Sequence, residues 1–148
     1  MTSARELDAI AFKSAKEARE ILDAVLRAID NDPVAGPKLR AAASSLRFEF
    51  PDLKLALNIT PAKRRGYLHW DFSRSRRPAP KLRLSMDSAF ANRLLQGGEN
   101  PAIAIARGRL RTTVKDAGAA LRFFPAVEPL VSRYREVVAE QYPHLAID

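Results

Sequence analysis

Apolar residues recur at Leu7, Ile10, Ala18, Ile21, Leu22, Val25 and Ile29. Their spacing of about 3.6 residues predicts one amphipathic helix of about seven turns. Phe12 falls off that stripe, so its ring either faces solvent, a partner or a membrane, or is one of the scattered apolar residues common on protein surfaces. Pro33, Gly36 and Pro37 in "NDPVAGP" each disfavour continuation of the helix. Leu39 to Ser45 suits one further short helix.

After Ser45 the pattern changes to strict alternation. Leu46, Phe48 and Phe50 alternate with Arg47 and Glu49; Leu53, Leu55, Leu57 and Ile59 alternate with Lys54, Ala56 and Asn58. Leu68, Trp70 and Phe72 do the same after the "TPAKRRG" turn, Leu82, Leu84 and Met86 follow the polar loop "SRSRRPAPK", and Leu110, Thr112 and Val114 form a fifth run. One apolar and one wetted face on each strand predicts an α+β fold: a five-stranded, largely antiparallel sheet covered on one face by helices.

Between the fourth and fifth strands lies "LLQGGENPAIAIARGRL". Asp87 can cap a helix carrying Phe90, Leu94 and Leu95, which Gly97 or Gly98 can close in the left-handed conformation. Asn100 and Pro101 supply a new cap and first helical residue. The Ala/Ile segment Ala102 to Ala106 then predicts a short helix covered on most sides, ended by Gly108. Asp116 caps a helix with Leu121, Phe123 and Phe124. Leu130, Tyr134, Val137, Val138 and Tyr142 give the last helix its stripe before Pro143.

The chain of 148 residues is long enough for one domain with a sizeable core. The expected organisation is a single unit over 1–148, with an N-terminal helix in 1–32, the sheet and its helices in 46–124 and a C-terminal helix in 126–143. Hydrophobic residues make up 47% of it and charged residues 28%, a soluble composition in which no apolar run approaches the roughly 20 residues a membrane span needs. Acidic residues interrupt the first thirty positions, unlike a secretory signal, and a cytoplasmic location is expected. The absence of cysteine removes disulfides, thiolate zinc sites and thiol nucleophiles.

Net charge is +8, and nearly all of it is local. Lys63, Arg64, Arg65, Arg74, Arg76, Arg77, Lys81 and Arg83 oppose Asp71 alone between Pro61 and Arg83. Such a segment suits an anionic surface: phospholipid head groups, nucleic acid or an acidic protein face. Nucleic acid gains support from Tyr67, Trp70 and Phe72 beside the cations. Against it, Trp70 and Phe72 share the inward face with Leu68.

Candidate chemistry is sparse. "QGGENPA" has neither the glycine spacing nor the lysine of a phosphate loop and follows a helix. His69 and His144 alone would require distant carboxylates to hold zinc, and no Gly-x-Ser-x-Gly elbow aims a serine. Asp71 and Glu49 on neighbouring strands suit pairing with Arg or Lys. No catalytic constellation, metal site or cofactor is expected.

At residues 81 to 124 the order of features resembles the sterol carrier protein type-2 family, the SCP2-like sterol-transfer domain. The likeness is carried by "KLRLSM", Phe90 with "LLQG", Pro101, Ala104 and Gly108 in "NPAIAIARG", the strand "RLRTTVK" and Asp116 before a helix. Val114 and Lys115 stand where the family usually has a glycine before the acidic cap. The resemblance implies a five-stranded sheet, helices on it, and an apolar tunnel between sheet and C-terminal helices that binds a sterol, fatty acyl chain or other lipid without catalysis. Leu55, Leu57, Trp70, Phe72, Leu84, Phe90, Leu94, Ile103, Leu121, Phe124 and Tyr134 are the expected walls. The same residues also suit a solidly packed core. Lys63, Arg64, Arg65, Arg74, Arg76 and Arg77 are the expected docking residues for an anionic membrane surface. The alternative is an accessory, nucleic-acid or acidic-partner module using the basic hairpin 61–83.

Overall fold

The computed structural model describes residues 9–42, 45–75, 79–112, 124 and 128–147. Five strands form one sheet: β1 (Leu46–Phe50), β2 (Leu55–Pro61), β3 (Leu68–Asp71), β4 (Leu82–Ser85) and β5 (Arg111–Thr112), in the order β3-β2-β1-β4-β5. The described helices are α1 (Ala15–Asp30), α2 (Ala35–Ala42), α3 (Ser88–Leu95), α4 (Pro101–Ala106) and α5 (Glu128–Gln141). The sheet is mixed: β1–β2, β2–β3 and β4–β5 are antiparallel, whereas β1 and β4 run parallel. That corrects the largely antiparallel expectation at its centre, because pairing partners are set by the non-local path of the chain and not by alternation within each strand.

Register places Phe48 between Leu57 and Leu84, and Leu46 beside Ile59, whose own neighbour is Trp70. These side chains share the face on which the helices pack, and form one cluster with Ile21, Leu22, Val25 and Ile29 of α1 and Leu130, Tyr134 and Val138 of α5. The stripes of α1 and α5 are buried as their periodicity predicts.

The single helix that the apolar spacing predicts is interrupted: Ala9 is helical, residues 10–14 are not, and α1 begins at Ala15. Ser14 is extended and its side chain accepts from the Glu17 N–H, a cap that fixes the start at Ala15. Phe12, ahead of that start, is half-buried against the core and not turned to solvent. Leu7 lies outside the described residues. Pro33 lies between two helices as expected, but Gly36 and Pro37 fall in the first turn of α2, where a proline has no intrahelical hydrogen bond to lose. Leu53 belongs to a short 3-10 turn, Pro51–Leu53, and not to β2.

Local caps follow the sequence closely. The Asp87 side chain accepts from the Phe90 N–H at 2.8 Å, and that of Asn100 from Ala102 N–H at 2.8 Å; caps of this kind contribute about 1 kcal/mol each. Gly97 and Gly108 adopt positive φ at 78° and 73°, the conformation that suits glycine after a helix.

The wetted sheet face is not bare. Asp71, Asn58, Arg47 and Arg83 lie side by side across β3, β2, β1 and β4. Arg47 is only 3% exposed, because the segment after β3 crosses over it. Its guanidinium donates to the carbonyls of Ser73 (3.2 Å), Arg74 (2.9 Å) and Ser75 (3.0 Å) and to Asn58 Oδ1 (2.8 Å). Asn58 Nδ2 donates to Asp71 Oδ1 and to the Ser73 carbonyl, and Glu49 lies 3.2 Å from Arg83 and 3.7 Å from Arg47. The start of the polar loop "SRSRRPAPK" is therefore fastened to the sheet; Arg76, Arg77 and Pro78 lie outside the described residues.

A second buried polar group ties α5 to α3. Tyr134 Oη donates to Asn92 Oδ1 at 2.6 Å, and Asn92 Nδ2 and Gln96 Nε2 donate to the Leu145 carbonyl at 2.9 and 2.8 Å. Burial, with the charge of Glu17 adding to it, pushes the Tyr134 phenol well above its ordinary pKa.

Replacing Arg47 by Ala deprives several part-buried acceptors of their charged donor, and a loss of about 1.5–3 kcal/mol is expected; Arg83→Ala, more exposed, should cost under about 1 kcal/mol. Urea midpoints of the two variants check this contrast. Because the Tyr134 phenol resists ionisation only when folded, its contribution is complete below the unfolded value of about 10 and falls as pH rises above it. Urea unfolding at about pH 9 and pH 11 should show wild type losing on the order of 1 kcal/mol in total relative to Tyr134→Phe, most of it above about pH 10.

Candidate functional site

Of the expected apolar walls, the fold brings Leu57, Leu84, Phe90, Leu94 and Tyr134 into one buried cluster. Leu57 and Leu84 enter from β2 and β4 on either side of Phe48, Phe90 and Leu94 from α3, and Tyr134 from α5. Leu55 and Phe124 are half-buried against the cluster. Ile103 stands apart. It is 51% exposed on α4, and of that helix only Ala104 is buried; an apolar composition says how a segment can pack, not whether a neighbour reaches it. Leu121 lies outside the described residues.

Trp70 and Phe72 sit at the border between this interior and an open groove of about 640 Å³ between α1 and β3. Lys16, Arg19, Glu20, Asp23 and Asp71 line the rest of it. Both aromatic rings are already engaged. The Trp70 indole donates to Asp23 Oδ1 at 2.9 Å, and the Arg19 guanidinium lies 4.9 Å from the centre of the Phe72 ring. Burial would raise the Asp71 pKa, but donation from Ser73 N–H and Asn58, aided by His69 and Arg47, holds it below the ordinary carboxylate value.

The expected docking residues occupy a different region. Lys63, Arg64 and Arg65 are exposed in the turn between β2 and β3, and Arg74 is exposed in the crossover held by Arg47. The turn is fixed from below by Asp30, at the end of α1, whose Oδ1 accepts from Tyr67 N–H at 2.7 Å and Leu68 N–H at 2.9 Å. Gly66, at φ 76°, lies over this carboxylate so closely that a Cβ would sit 2.8 Å from its oxygens. A side chain there would disturb both the backbone and the anchor.

Sequence reasoning missed Arg47, Asp30 and Asn92. Alternation put Arg47 on a wetted face, and Asp30 read as one of the acids of an amphipathic helix. Asn92 carried the one available signal, an amide set between Phe90 and Leu94 in a helix whose residues Phe90–Leu95 are all buried. Among the described residues, no group of His, Cys, Asp and Glu could hold a metal ion, and no helix is long and apolar enough to cross a membrane.

No family profile and no curated protein sequence matches the chain. Solved structures do. A crystal structure of sterol carrier protein 2 matches with a TM-score of 0.52 and 19% identity, over 79% of this chain and 95% of that one. A solution structure of a conserved Thermus thermophilus protein, described as a candidate sterol carrier protein, matches with a TM-score of 0.52 and 19% identity, over 80% of this chain and 86% of that one. A stereoselective inverting sec-alkylsulfatase from a Pseudomonas species is also similar, with a TM-score of 0.48 and 19% identity over 62% of this chain, which spans only 14% of that enzyme. At these identities the likeness is one of architecture: the chain has the fold of sterol carrier protein 2.

Proposed function

We propose that this protein binds and carries a hydrophobic ligand, a lipid, sterol or fatty acyl chain, between its sheet and helices α3 and α5, without chemistry of its own. The observation that carries the reading is the sterol-carrier fold over about four-fifths of the chain. The residues suit it. Leu57, Leu84, Phe90, Leu94 and Tyr134, buried together in one apolar cluster, would line the ligand's site, Leu55, Phe124 and Leu121 would extend it, and Trp70 and Phe72 would border its opening toward the α1–β3 groove. Ile103, exposed on α4, would touch only a ligand end that reaches the surface.

Occupancy would require α5 to lift from α3, with the Tyr134–Asn92 hydrogen bond as the latch and Pro129, at the start of α5, as the hinge. An acyl chain burying about ten methylenes gains roughly 8 kcal/mol. That exceeds the roughly 1 kcal/mol of one neutral hydrogen bond, and the ligand's methylenes would replace apolar contacts that Leu130, Val137 and Val138 of α5 give up.

Native mass spectrometry of the purified protein, followed by organic extraction, tests the reading. A stoichiometric copurified or added lipid is the expected result. Retention should be unchanged from low salt to about 0.5 M, because apolar burial is not screened. Protein that is repeatedly recovered empty, and that takes up neither a labelled stearate nor a sterol, would sink the proposal.

A further inference from the structure

We propose that one end of the sheet is a docking surface for an anionic phospholipid bilayer. The proposal extends the carrier reading and rests on it for the choice of a lipid surface. β2 ends at Pro61, opposite the start of β3 at Leu68; β1 and β4 start side by side at Leu46 and Leu82, and Leu46 pairs with Ile59. The β2–β3 turn and the entries to β1 and β4 are therefore at the same end. Lys63, Arg64 and Arg65 are exposed in that turn, and Lys81 is exposed immediately before β4. Arg40 of α2 reaches the same place, its guanidinium 3.4 Å from the Ala62 carbonyl. Arg74 flanks the group on the wetted face, where Arg47 holds its carbonyl.

β2 and β4 are two strands apart, about 10 Å, a separation close to the Debye length at physiological ionic strength. The six cations thus act on a nearby plane together. None of them makes an ion pair with a described residue. Of the described carboxylates near this end, Asp71 accepts from Asn58 Nδ2 and Ser73 N–H, and Asp30 is turned inward to the Tyr67 and Leu68 N–H groups, so Asp30 anchors the cationic turn and does not cover it. The opposite end of the sheet, where β4 leads into α3, is different in kind: Arg109 lies 3.6 Å from Asp87, and Ser88 donates to Asp52.

A single-stranded nucleic acid is the other polyanion such a patch could take, but it needs aromatic faces on which bases stack. Here the Trp70 indole is bound to Asp23, Phe72 is covered by Arg19, and the half-buried Tyr67 ring packs so closely on Gly36 that a Cβ there would clash with it. Charge without a stacking platform favours a plane of phosphates.

Cosedimentation with vesicles of phosphatidylcholine alone, and of phosphatidylcholine mixed with phosphatidylglycerol, tests the surface. Protein as purified and protein stripped of lipid are both measured, so a failure to dock leaves the ligand-retention result standing by itself. Wild type should bind the anionic vesicles, ignore the neutral ones, and release at about 0.5 M salt. The triple reversal Lys63→Glu, Arg64→Glu, Arg65→Glu should lower affinity on the order of 100-fold or more. The Gln triple should fall between it and wild type, and Arg107→Glu, at the other end of the sheet, should change nothing. Circular dichroism establishes that each variant is folded. The proposal is overturned if wild type does not distinguish the two vesicle types, if the reversed turn binds as wild type does, or if single-stranded oligonucleotide binds more tightly than the anionic vesicles at equal salt.

Discussion

A chain that leaves a sheet at its outer strand and re-enters three strands away must cross a sheet face, and the backbone carbonyls in that crossing need donors. Arg47 supplies them. From the central strand its guanidinium reaches three successive carbonyls, Ser73 to Ser75, and the Asn58 amide. With the crossing pinned over β2 and β1, β4 enters parallel to β1 and β5 can pair on its far side. The mixed sheet, the path of the basic segment and the position of α3 all follow from that route.

The two faces of the sheet divide the work. One carries Leu57, Phe48 and Leu84 toward α1 and α5 and is almost wholly apolar. Tyr134 and Asn92 form a satisfied polar point within it, where loss of α5 would expose both. The other face carries the Asp71–Asn58–Arg47–Arg83 row, and the basic crossover lies over it. A lipid between sheet and helices and an anionic plane at the end of the sheet would therefore meet different residues, and salt would act on the second alone.

Much of this was legible locally. Asp87, Asn100, Gly97 and Gly108 act within one helical turn of where they stand, so their caps could be read from spacing. The inward positions of β1, β2 and β4 followed from alternation, and five of the expected apolar walls meet in one cluster. What could not be read depends on distant chain. The parallel β1–β4 pair is a property of the crossing, and the burial of Arg47 depends on a segment 26 to 28 residues further on. The exposure of Ile103 reflects which neighbours reach α4. The break before α1 is the local exception: apolar spacing runs back through Ile10, but residues 10–14 are not helical and the helix restarts on the Ser14 cap.

Whether an apolar ligand lies between the sheet and α5 is the point on which the functional reading turns. The most direct measurement is NMR of the protein with a stearic acid that bears a nitroxide on its chain. Carriage in the interior predicts paramagnetic broadening centred on Leu57, Leu84, Phe90 and Tyr134, with the Lys63–Arg65 turn unaffected. Broadening confined to surface positions such as Ile103 or the α1–β3 groove, with the interior resonances sharp, would contradict it.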